Sequence, residues 1–252
     1  METAIATYEG EGGEKVELIS AVHIADGAYY ARLEQLFATY DSLLYELIKS
    51  EGEEPPEPGR RKLGSSGFNL IALFQRAMRD GLELDYQIEA IDYSAKNFVH
   101  ADLDAETFLA LSKERGQTLT KLMLQSMLQE FVKMFKGEGT AQIDPLLEVK
   151  MLGALFSSKR AKRLKYLFAQ QLQNIDELMA GFEKGLGGEE SVILIARNKQ
   201  AIKVLRERLA AGEKHIGVFY GGAHLPDLEE RVFKEIGLRR TGVRWESAWV
   251  IE

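Results

Sequence analysis

The chain contains no cysteine, so disulfides and thiolate metal sites are excluded. Any metal must rest on His, Asp and Glu. Histidine is itself scarce, with 4 residues, and proline is limited to 5. No apolar run approaches the roughly 20 residues of a membrane span. A positively charged start followed by an apolar core, the mark of a signal peptide, is missing as well. So is any excess of positive charge: 32 Lys and Arg face 39 Asp and Glu, a formal charge of -7. That balance argues against a surface built for nucleic acid or anionic lipid. What remains is 252 residues, 45% hydrophobic and 28% charged, which suits one generous globular domain or two small ones.

Against this background one pattern occurs twice. Ser20-Ala21-Val22-His23-Ile24-Ala25-Asp26 follows an apolar, β-rich run, and so does Gly221-Gly222-Ala223-His224-Leu225-Pro226-Asp227. Each opens a segment of helical periodicity. The shared reading is a strand, a histidine, and a helix with an aspartate in its first turn. Two of the 4 histidines therefore fall at equivalent places, as they would if two halves of one sheet each supplied a metal ligand.

The spacing predicts a hairpin from Thr3–Tyr8 and Lys15–Val22, a helix over Ala28–Thr39 and a buried strand at Ser42–Leu47. Glu51–Gly67 reads as a loop and Phe68–Arg79 as a helix. From Asp104 to about Gly185 the pattern is helical. Then come a strand at Val192–Ala196, a helix at Asn198–Ala210, a strand at His215–Tyr220 and a helix at Leu228–Ile236. Two strands about a turn at Trp245–Glu246 close the chain. The expected fold is α/β: a mixed central sheet from two pseudo-duplicated halves. It forms a single domain over 1–252 that carries a helical insert over 104–185. The chain opens inside a strand, which is compatible with an extracytoplasmic protein whose export signal has been removed.

Four polar residues, His23, Glu46, Arg197 and His224, are expected at the C-terminal ends of strands, the edge at which open α/β sheets bind ligands. Two imidazoles and a carboxylate suit a hydrolytic divalent-metal site that keeps positions open for water. His23, Glu46 and His224 are the expected metal ligands, with Glu46 also a candidate base. Arg197 would steady charge on the substrate oxygen. Asn198, His100, Asp102 and Tyr220 are expected near the substrate. Asp26 and Asp227 read as helix-start residues rather than ligands.

In these residues the chain resembles the TraB/GumN/Tiki superfamily, which includes pheromone-shutdown proteins and has haem-binding and erythromycin-esterase relatives. The family's two Gly-x-x-His motifs correspond to Ser20-Ala21-Val22-His23 and Gly221-Gly222-Ala223-His224. Its strand-end glutamate corresponds to Glu46 and its Arg-Asn pair to Arg197-Asn198. Ser20 stands where glycine is usual, and Ala196 where an acid often precedes Arg-Asn. The resemblance implies metal-dependent hydrolysis of peptide bonds, with manganese or cobalt as the metal and zinc as a further candidate. It also implies that many relatives are bacterial and exported or anchored. A peptide or small amide is the expected substrate, with no nucleic-acid partner and a homodimer through the helical insert as the possible assembly. The alternative is a non-catalytic protein that sequesters a peptide or haem-like ligand in the same pocket.

Three other signals are discounted. The basic run Ser158–Lys165 is expected to be a solvated helix face. Met123, Met127, Met134 and Met151 read as core packing, with a peptide groove as the sharper option. Gly185-Leu186-Gly187-Gly188 reads as a helix stop.

Overall fold

The parallel strands that carry both His motifs lie side by side. In the computed structural model, which describes residues 1–55, 82–116, 153–154, 157, 159–172 and 191–251, β2 (Lys15–Ala21) pairs in parallel with β7 (His215–Gly221). The register runs from Lys15 opposite His215 to Ala21 opposite Gly221. β1 (Glu2–Glu9) forms the expected antiparallel hairpin with β2, turned with Gly13 at φ 82. β4 (Ser42–Tyr45) and β6 (Phe98–His100) extend the parallel part, and β8 (Arg239–Ser247) closes the other edge against β1. The mixed six-stranded sheet has the order β6-β4-β7-β2-β1-β8. β3 (Ile24–Ala25) and β5 (Asp85–Tyr86) form a separate two-stranded ribbon. The fold is α/β, as the sequence indicates.

The described helices are α1 (Gly27–Phe37), α2 (Gln87–Ala90), α3 (Ala105–Glu114), α4 (Arg160–Leu172), α5 (Arg197–Ala210) and α6 (Leu225–Arg231). Of these, α1, α5 and α6 belong to the unit that holds the sheet and cover it on both faces. Ala201, Ile202 and Leu205 of α5 and Leu228 of α6 pack with Leu18, Leu44, Val218 and Tyr220 of the strands. On the opposite face Phe37 of α1 meets Phe219 at a centroid distance of 4.9 Å and Phe98 at 5.8 Å. Every residue of β4 is buried, the pattern of a parallel strand covered on both sides. Each large apolar side chain buried in this way contributes about 1.5–3 kcal/mol.

Two expected strands are corrected. Val192–Ala196 is a π-helical turn that runs directly into α5. A short apolar run cannot be divided between buried strand and buried helix by periodicity alone. The tail is one strand rather than two: Trp245 and Glu246 lie in ladder register with Ala4 and Thr3, so no turn falls there.

The chain forms two compact units. One comprises Met1–Ala105 and Leu194–Val250, the other Glu106–Ile193 and Ile251–Glu252. In the second unit, α4 buries Ala161, Leu164 and Leu167 and exposes Arg160, Lys162 and Arg163, with Lys159 exposed just before it. Most of the basic run is thus a solvated face, although Lys165 is buried. The four methionines, the glycine run near 185–188, the expected helix at 68–79 and most of the expected loop at 51–67 lie outside the described residues. Among the described residues no helix is long and apolar enough to cross a membrane.

Candidate functional site

β2, β4, β6 and β7 all point the same way, so their C-terminal ends share one edge of the first unit. Glu46 leaves β4, Asp102 follows β6, and Gly221 ends β7 with Gly222 directly after it. The start of α5 brings Arg197 and Asn198 against them.

Arg197 is the hub. Its Nε donates to Asp102 Oδ1 at 2.9 Å and its Nη2 to Asp102 Oδ2 at 2.5 Å. The same Nη2 lies 2.7 Å from Glu46 Oε1. All three side chains are buried or nearly so, with exposures of 10% for Arg197, 12% for Glu46 and 0% for Asp102. A charged side chain can stand there only because it is paired and hydrogen-bonded. Glu46 Oε2 accepts the Gly221 N–H at 2.6 Å. Burial pushes the Glu46 carboxyl upward, but His224 in its protonated form, the Arg197 charge and the Gly221 N–H outweigh it. The carboxyl is held far below the usual range and is ionised.

His224 enters from the turn after β7. A Cβ on Gly222 would come within 2.9 Å of Ser20 Oγ, and one on Gly221 within 3.2 Å of Glu46 Oε2. The two glycines therefore allow the tight turn that carries the imidazole inward. Its Nδ1 lies 2.6 Å from Asn198 Oδ1. The orientation of that amide is fixed, because Asn198 Nδ2 donates to Asp227 Oδ2 at 2.8 Å and to the His224 carbonyl at 3.3 Å, both acceptors only. Oδ1 must then accept, so His224 Nδ1 carries a hydrogen. Nε2 faces Glu46 Oε1 at 3.6 Å, beyond direct hydrogen-bond range. In the neutral imidazole this opposes a lone pair to a carboxylate. Such a pair is stable only with a proton or a cation between the two atoms, or with a water beside them that donates to both.

Of the expected site residues, Glu46, Arg197, His224, Asn198, Asp102 and Tyr220 come together. Arg197 is engaged by two carboxylates rather than turned to a substrate oxygen. Asn198 and Tyr220 are fully buried and Asp102 nearly so. Their side chains therefore serve one another: Tyr220 donates to the Ala101 carbonyl at 2.6 Å and packs edge-on to His224, with centroids 5.3 Å apart.

Two histidines stand apart. His100 Nε2 bonds the Leu47 carbonyl at 2.6 Å. His23 is exposed, and its Nδ1 meets Gln87 Oε1 at 3.2 Å. After Ala21 the chain bends out to form β3, whereas after Gly221 it coils directly into α6, so the matched imidazoles diverge. Among the described residues no three His, Asp or Glu side chains could hold a metal together. Two donors, His224 Nε2 and Glu46 Oε1, remain as a possible seat. Ligands of one tetrahedral ion stand about 3.4 Å apart, close to their separation, but a hydrolytic centre uses three protein ligands.

Sequence reasoning gave Asp227 no part in the site. It lies in the first turn of α6, where its carboxylate accepts from Asn198 and, bidentately, from Arg231 Nε at 2.7 Å and Nη2 at 3.0 Å. The available signal was the i, i+4 spacing of Asp227 and Arg231 directly after the His224 motif. Comparison with family models, with curated proteins and with solved structures gave no match.

Proposed function

We propose that this chain is a hydrolase of peptide or amide bonds in which His224 and Glu46 are the working pair. The observation that carries the reading is the 3.6 Å gap between His224 Nε2 and an ionised Glu46 Oε1, with Nδ1 committed to Asn198. A water seated beside the two atoms, within hydrogen-bond reach of each, donates to both. Nε2 takes one proton from it as a general base, and the resulting hydroxide adds to the substrate carbonyl carbon. Glu46 steadies the imidazolium that forms. The C–N bond then breaks as His224 returns its proton to the leaving amine. The resemblance of the Gly221-Gly222-Ala223-His224, Glu46 and Arg197-Asn198 segments to the TraB/GumN/Tiki superfamily supports hydrolysis of peptide bonds, there with a divalent metal.

A manganese, cobalt or zinc ion would rest on His224 and Glu46. Among the described residues no third ligand joins these two, and the step above uses the protein groups alone.

The test is a peptide library incubated with the full chain, with and without added divalent metal and with a chelator. Wild-type protein is expected to cleave. His224→Ala is expected to lose at least about 100-fold, and His23→Ala to stay within about twofold, as an exposed residue bonded only to Gln87. Tight peptide retention without cleavage overturns the reading in favour of a sequestering protein. Activity abolished by the chelator and restored by manganese replaces the metal-free step with metal-bound water.

A further inference from the structure

We infer that Asp227 is a positioning residue that decides, through Asn198, which nitrogen of His224 carries the proton. This deepens the hydrolase reading, since only an Nε2 free of hydrogen can act as the base toward Glu46.

The argument starts from a competition. A carboxylate facing Nε2 attracts a proton to that nitrogen. Left to Glu46 alone, the neutral imidazole would hold its hydrogen on Nε2, and the group would be a donor instead of a base. Asn198 opposes this by accepting from Nδ1 at 2.6 Å. An asparagine amide, however, is nearly the same shape after a half-turn, and the flipped amide would present its NH2 to Nδ1 and favour the wrong tautomer. Burial cannot choose between the two orientations, because Asn198 is enclosed either way. The choice is made by what lies on its far side. Asp227 Oδ2 stands 2.8 Å from Asn198 Nδ2 and the His224 carbonyl 3.3 Å, so the flipped amide would set its oxygen against both. The charged and nearer carboxylate is the stronger of the two, and the neutral carbonyl alone would not outweigh the Glu46 charge that draws the hydrogen to Nε2. Asp227 is in turn fixed by the bidentate Arg231 on the next turn of the same helix, and Arg231 is anchored at Nη1 by Glu235 at 2.7 Å. The path Arg231–Asp227–Asn198–His224 thus runs from a partly exposed ion pair to the buried atom that faces Glu46. The role of a second-sphere partner in fixing an imidazole tautomer is general. Here an acid one step further out fixes that partner.

The test reads the tautomer directly. The full chain, labelled with nitrogen-15 and treated with chelator, is examined by long-range proton–nitrogen NMR at about pH 9, well above the ordinary imidazole pKa of about 6.5. In the wild type the His224 nitrogens are expected to show the hydrogen on Nδ1. In Asp227→Ala the pattern is expected to invert, with the hydrogen predominantly on Nε2. Asp227→Asn, whose side-chain oxygen can still accept from Asn198, is expected to restore the wild-type pattern. Where wild-type peptide cleavage is measurable, Asp227→Ala is expected to lower kcat at least about tenfold with KM little changed. A wild type with its hydrogen on Nε2 overturns the inference without recourse to any variant, so misfolding of Asp227→Ala does not shield it. A folded Asp227→Ala with the wild-type tautomer overturns it too. The expected tautomers in a protein that cleaves nothing leave the inference standing and remove the hydrolase reading; cleavage alongside an unmoved tautomer does the reverse.

Discussion

Arg197→Met tests the account of the site most severely. The guanidinium makes three short contacts: Nε to Asp102 at 2.9 Å, Nη2 to Asp102 at 2.5 Å, and Nη2 to Glu46 at 2.7 Å. Methionine fills much of the same volume but leaves two carboxylates without their cation, one of them 0% exposed. Removing one partner of a buried pair costs about 3–5 kcal/mol, because the remaining charge is left uncompensated. About 4 kcal/mol is expected at pH 7. Asp102→Asn is milder, at about 2 kcal/mol, since Arg197 keeps Glu46 and only charge-assisted hydrogen bonds are lost. The pH dependence separates this mechanism from simple loss of packing. In the wild type, the Glu46 pKa is depressed below its ordinary 4.5. Its contribution is therefore complete above that value and lost as pH falls through the folded pKa. In Arg197→Met, burial acts on Glu46 with less opposition, and protonation relieves the penalty. The deficit of the variant should narrow by at least about 1 kcal/mol between pH 7 and pH 4.5. Urea unfolding followed by tryptophan fluorescence is the suitable assay. Trp245 and Trp249 are the 2 tryptophans of the chain and both belong to the first unit, so the signal reports the unit that holds the site. A deficit below about 1 kcal/mol, or one that does not change with pH, would refute the reasoning.

Two further perturbations probe the scaffold. Gly217→Ala places a Cβ 2.7 Å from both Leu43 Cδ1 and Tyr40 Cε2, so a loss of about 1–3 kcal/mol by overpacking is expected, read as a lower urea midpoint with an unchanged slope. Glu17, with 1% side-chain exposure, is pushed up by burial but brought down to about 2 by bonds from Arg244 and Tyr40. Its stabilisation, about 3 kcal/mol, is present above pH 4.5 and lost toward pH 2; an acid unfolding profile of Glu17→Gln that is as steep as that of the wild type in this window would refute it.

The sheet was largely legible because its strands carry local signals. The glycine-rich turn announces the β1–β2 hairpin, and the continuous burial of Ser42–Tyr45 suits a parallel strand. The repeated motif went further, since it implied two sequence-distant strands in equivalent positions, and β2 and β7 are direct parallel neighbours. Val192–Ala196 was misread because its apolar residues satisfy a buried strand and a buried helix equally. What decides is the continuation into Arg197, whose helix is fixed by packing of Ala201, Ile202 and Leu205 on the sheet, a tertiary fact without a local mark.

The site was legible as a set of residues more than as an arrangement. Its charged members were recognisable because a carboxylate among Leu44, Tyr45, Leu47 and Ile48 demands a partner. The likeness of the two motifs nevertheless misled where they diverge. Ser20 and Gly222 show the cause: a Cβ on Gly222, directly after β7, would stand 2.9 Å from the Ser20 hydroxyl of the neighbouring β2, so a glycine turns in there without displacing it. The first strand has no glycine pair after Ser20, and its chain bends away into β3 with His23 exposed at the bend. A duplicated sequence thus yields one buried imidazole and one exposed one. The groups that complete the buried imidazole come from elsewhere, as Asn198 from α5 and Asp227 from α6. At that edge Glu46 is already committed to Arg197 and to the Gly221 N–H, and the buried imidazole completes the group.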